Sequence, residues 1–230
     1  LNEDAMRAGA ALNLRVDEAT DVILLPLEGG LEYQLKTVST SAVSTSAVST
    51  SAVSTSAVST SAVSTSAVST SAVSTSAPDF LEPGQVGVLS LPAGATYTVT
   101  NPYETESIGF LQLWLRNAAE RTEATVTQNR FLLITKNTLL PLFESAGHDT
   151  SLTSRGFIGQ YDGRNEGTYP IPATGRHVFI FVLRGAFEAA NRLVHEKDGL
   201  ALRYEQEDVL EFEALSNGAV LLIIDMPLNR

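Results

Sequence analysis

The chain has no cysteine and only three histidines, one tryptophan and two methionines in 230 residues. Without a thiol, disulfides, thiolate metal sites and cysteine nucleophiles are all excluded, while the redox compartment stays open because the absence suits the cytosol and the outside alike. The histidines, His148, His177 and His195, lack the two- or four-residue spacing that would put two imidazoles on one metal. Basic residues are also scarce: 15 Lys and Arg stand against 26 Asp and Glu, for a formal net charge of −11. That balance argues against nucleic acid, whose binding needs clustered cations that displace counterions. No run approaches the roughly 20 apolar residues of a membrane helix, and Leu1 to Ala10 has no basic stretch leading into an apolar one. The expectation is a cytoplasmic protein with neither a nucleic-acid nor a membrane partner. The first residue is Leu rather than Met, in what already reads as the approach to a strand, which implies residues upstream.

Val38 to Ala77 is Val-Ser-Thr-Ser-Ala repeated eight times without deviation. A period of five matches neither strand nor helix, and its small hydroxylated residues offer little apolar area against the entropy of ordering. It reads as a flexible or artificial insert, with a pentapeptide β-helix as the ordered alternative. Outside it, short β-prone segments alternate with turn signals, the pattern of an all-β sandwich or barrel. The first half offers strands over Asp21–Leu27, Gln85–Ser90, Thr96–Thr100 and Phe110–Arg116. The second offers His177–Leu183, Asn191–His195, Leu200–Tyr204, Val209–Ala214 and Ala219–Asp225. Asp162-Gly163, Asp198-Gly199 and Asn217-Gly218 mark turns. Leu210, Phe212 and Ala214 alternate with Glu211 and Glu213, so that strand has one wet face. Val22–Leu27 and Val178–Leu183 are apolar on both faces, as a sheet would be between its own core and a second domain. Polar Asn117–Asn129 reads as the linker. The expected organisation is therefore two β-barrel domains, 1–117 and 129–230, joined by a linker over 118–128 and with the repeat inserted in the first.

Two passages carry a resemblance. Pro92-Ala93-Gly94-Ala95-Thr96-Tyr97-Thr98-Val99-Thr100-Asn101, followed by Phe110-Leu111-Gln112-Leu113-Trp114, resembles the second cupin motif leading into the strand that follows it in pirins. Phe157 to Arg164, Val178 to Leu183, Gly185-Ala186-Phe187-Glu188 and Ala214-Leu215-Ser216-Asn217 together resemble the C-terminal barrel of pirin-like bicupins. The resemblance implies two cupin-type jelly-roll barrels. In metal-binding pirins a His-x-His pair, a Glu four residues later and a histidine of the second motif hold an iron-type ion. On this chain those positions fall on Arg15, Asp17, Asp21 and Tyr97.

A guanidinium does not give up its proton to ligate a metal and repels a divalent cation. The expectation is a degenerate pocket in which Arg15 substitutes for the cation, held by Asp17 and Asp21 and capped by Tyr97, with no metal and no cofactor. The even spacing of 15, 17 and 21 would aim all three into the barrel. The histidines read as surface or strand-end residues, and the acidic run from Glu205 to Glu213 as a solvated face. No Gly-x-Ser-x-Gly elbow supports a hydrolase. The resemblance thus implies a pirin-like bicupin that binds a small molecule or a protein. The alternative is a metal-dependent oxygenase like quercetin dioxygenase, and a metal-free isomerase or lyase using Tyr97 or an inward carboxylate stands behind it.

Overall fold

The computed structural model describes residues 1–41, 70–116, 121–145, 153–172 and 175–228, and its regular elements there are β-strands in four antiparallel sheets. The first sheet runs β1 (Asn2–Met6), β9 (Ile108–Arg116), β3 (Thr20–Glu28), β7 (Gln85–Leu91) and β10 (Thr125–Arg130). The second runs β2 (Ala11–Arg15), β8 (Thr96–Thr100), β4 (Leu31–Ser41) and β5 (Thr70–Thr75), with β6 (Asp79–Leu81) also on β4. The third is β11 (Thr138–Ser145), β12 (Ser154–Tyr161), β19 (Ala219–Pro227), β14 (Arg176–Arg184) and β17 (Gly199–Tyr204). The fourth is β13 (Glu166–Ile171), β18 (Asp208–Ala214), β15 (Ala186–Ala189) and β16 (Arg192–His195). Sheets one and two form the first cupin-like sandwich, and three and four the second.

Three cores follow from the alternation of side chains along strands. Val22, Leu24, Tyr97 and Phe110 meet inside the first sandwich, and Val178, Ile180, Phe212 and Leu221 inside the second. The in-between residues of the same strands, Ile23, Leu25, Leu111 and Leu113, pack on Ile158, Phe181, Leu222 and Ile224 in a third core. The two-faced apolarity of β3 and β14 is therefore a back-to-back contact between the inner sheets, as their sequence implies. Pro26 lies in central β3, where a missing N–H would break a ladder. Pairing with β7 has already ended at Leu24, and the β9 register shifts between Pro26 and Glu28.

Two expectations need correction. The proposed linker ends in a strand: Thr125–Arg130 pairs with Ser90–Gln85 on the edge of the first sheet. All six of its side chains are exposed, so backbone hydrogen bonds form it and no apolar period announces it. The repeat, too, is not wholly an insert without structure. Residues 38–41 prolong β4 and 70–75 form β5, with Val38 the backbone partner of Val73, in keeping with the strand preference of Val and Thr. Repeat residues 42–69 lie outside the described ones, so the β-helix alternative does too.

Candidate functional site

Arg15 and Asp17 do not enter the first barrel. In β2 the inward residues are Leu12 and Leu14, and Leu14 is the one opposite Tyr97, while Arg15 is opposite Thr96. The Arg15 and Asp17 side chains are 68% and 91% exposed, with Nε 3.8 Å from Oδ1. Even spacing fails as a guide because the three positions do not share a strand. β2 ends at Arg15, Val16 bonds through its N–H to Ala95 O, and β3 begins at Thr20 in the other sheet.

Asp21 is fully buried but faces the other way, in phase with Ile23 and Leu25 toward the seam between the sandwiches. It accepts hydrogen bonds from Ser90 Oγ at 2.6 Å, from Arg121 and from Ser145 Oγ. Those donors come from the first sandwich, the connector and the second sandwich, so Asp21 ties the three together.

Of the four expected residues, Tyr97 alone lies inside the barrel. It has no exposed surface, and its hydroxyl accepts a 2.6 Å hydrogen bond from Gln112 Nε2, itself buried. The Trp114 ring lies 6.4 Å away at 58°. Burial holds the phenol well above its ordinary value of 10, against the opposing hydrogen bonds of Trp114 and Gln112 and with the charge of Asp4 adding to the rise. A neutral phenol, a carboxamide and an indole are poor donors for a divalent transition metal, which takes imidazole, carboxylate or an ionised oxygen. Among the described residues no three of His, Asp and Glu gather where they could hold a metal ion. His177 lies in β14 on the seam face and His195 is exposed on β16, while His148 is outside the described residues. The donor set at Tyr97 does not fit a resident metal.

The corresponding place in the second barrel is also polar, which the sequence reading missed. Asp225 stands opposite Val178 as Trp114 stands opposite Val22. Arg176 Nε donates to Asp225 Oδ1 at 2.6 Å and Tyr169 OH to Oδ2 at 2.7 Å, while Arg176 Nη2 reaches Thr153 O at 2.8 Å. Burial and then the Asp225 carboxylate hold the Tyr169 phenol protonated far into the alkaline range. A charge at inward parity on an otherwise apolar strand, Asp225 after Leu221 and Ile223, was the available signal.

The family model of the quercetinase C-terminal cupin domain matches residues 154–226. No curated protein matches the sequence. Among solved structures, the bacterial pirin YhhW in complex with nickel(II) from Escherichia coli is similar with a TM-score of 0.68 at 18% identity, over 99% of this chain and 81% of that one. The protein YhaK from Escherichia coli is similar at 0.69 and 16%, over 98% and 83%. Quercetin 2,3-dioxygenase from Acinetobacter baumannii is similar at 0.63 and 12%, over 99% and 73%.

Proposed function

From its fold as a pirin-like bicupin, we propose that the chain works without a metal in its first barrel, as a binding module for a small molecule or a protein. The observation that supports it is the hydrogen bond from Gln112 to Tyr97, the residue on which the resemblance sets the second-motif histidine. A phenol kept neutral by burial, with its hydroxyl bonded to Gln112, is not an anionic ligand for a cation. Elemental analysis of the purified protein tests this: less than about 0.1 equivalent of iron, nickel, manganese or zinc is expected, since no strong chelating set is present among the described residues. A stoichiometric metal would overturn it.

The quercetinase-type C-terminal barrel favours a second reading, an oxygenase acting on a flavonol. Dioxygen uptake with quercetin in the presence of added iron or nickel would support that reading. No uptake above the protein-free rate is expected.

A further inference from the structure

A sheet ends in strands whose outer N–H and C=O groups have no neighbour, and proteins blunt such edges with charge, proline or bulges because another extended chain can pair there. The four sheets, with two ends each, have eight end strands. Seven of them carry charge: Glu3 on β1, Arg15 on β2, Arg130 on β10, Glu144 on β11, Glu166 on β13, Arg192 on β16 and Arg203 on β17. The eighth, β5, is Thr70-Ser71-Ala72-Val73-Ser74-Thr75, with no charge, no proline and no glycine. Among the described strands β5 pairs with β4 alone.

The ladder between β4 and β5 also shows what pairs with this sequence. Val38–Ser41 belong to the same repeat as Thr70–Val73 and run antiparallel to them, so one stretch of the repeat already serves as the partner of another. A second copy of the chain brings an identical strand. Two chains of net charge −11 repel each other as they approach, but neither β5 adds a charge to that repulsion. We propose that β5 is a self-association edge, pairing antiparallel with β5 of a second copy about a two-fold axis so that the two second sheets become one. This association is independent of what the barrels bind.

Sedimentation equilibrium of the full chain tests the proposal. A strand of six residues buries less than a standard interface, so a monomer–dimer equilibrium with a dissociation constant on the order of 0.1 mM is expected. Ala72→Lys places a cation on both edges and should weaken the dimer at least roughly tenfold, with the urea midpoint of the monomer unchanged. The interface itself is read by distance. Because the chain has no cysteine, Ala72→Cys offers a single site for a nitroxide label, and paired β5 strands hold the two labelled backbones within about 20 Å in any register. Double electron–electron resonance should show that short distance at concentrations where the dimer forms. The proposal falls if the chain stays monomeric to about 1 mM, if Ala72→Lys associates as tightly as the parent, or if the labels of a dimer lie more than about 40 Å apart. Should lysine lower the urea midpoint, the label distance decides alone.

Discussion

Ala190 has φ of 48° and Asn191 of 59°, a tight turn between β15 and β16 built on two left-handed residues. Asparagine tolerates that region, but alanine pays for its Cβ there. Ala190→Gly keeps the N–H that bonds to Glu211 O and should raise stability by about 0.5–1 kcal/mol in urea unfolding, the relief of the strain exceeding glycine's entropy. The sequence hid this turn because alanine carries no left-handed signal, whereas Asn217-Gly218 announced its own, with Gly218 at 66°. Tyrosine burial has a consequence in alkali. Burial pushes Tyr33 and Tyr161 up to about 12 from 10. Their folded values lie above the unfolded ones, so the stability they contribute is complete below pH 10 and is lost as pH rises through about 12. Urea midpoints measured from pH 9 upward should fall through that window, and Tyr33→Phe and Tyr161→Phe should each flatten the fall. Tyr97 was placed in the barrel through the resemblance of Pro92–Asn101 to the second cupin motif. Arg15 was misread because orientation was counted across the break at 16–19, where parity resets.

At the scale of elements, the fourth sheet carries a like-charge row: Glu213 on β18 stands directly opposite Glu166 on β13 and Glu188 on β15. Adjacent like charges on one face repel by about 0.2–1 kcal/mol per pair. Glu213→Gln should therefore stabilise the protein in low salt, and the gain should shrink as sodium chloride screens the row. A gain independent of salt would contradict the repulsion. The strand itself was plain in the sequence, since Leu210, Phe212 and Ala214 alternate with those glutamates and do face the core. β12 and β13 were not found as strands, because glycines interrupt their apolar alternation between the buried Ile158, Tyr161, Tyr169 and Ile171. A Cβ on Gly156 would lie 2.1 Å from Phe143, and one on Gly167 would lie 2.4 Å from Phe212. Phe143 and Phe212 lie across the ladder, each covering the glycine directly opposite it, so half of each pattern sits on the partner strand. β10 offered still less, being wholly exposed.

Across the whole molecule, the four sheets stack so that β3 and β14 each serve two cores, and Asp21 secures the seam beside the third core. Its side chain is 1% exposed and that of Arg121 15%. Breaking a buried ion pair from one side costs about 3–5 kcal/mol, so Asp21→Ala should lose that much in denaturant unfolding. Ser90→Ala, which removes one hydrogen bond to a charged group, should lose about 1.5–3 kcal/mol. Equal small losses would show that the seam does not depend on this carboxylate. The tandem arrangement was legible from apolar runs with no wet face, but the role of Asp21 was not, since a carboxylate facing a seam and one facing a barrel differ by a single step of parity.

The decisive measurement is a calorimetric titration of nickel(II) into chelator-stripped protein. We expect no saturable one-to-one heat, because Tyr97, Gln112 and Trp114 offer no strong donor to the ion. A one-to-one isotherm that disappears in Tyr97→Phe would contradict a metal-free first barrel.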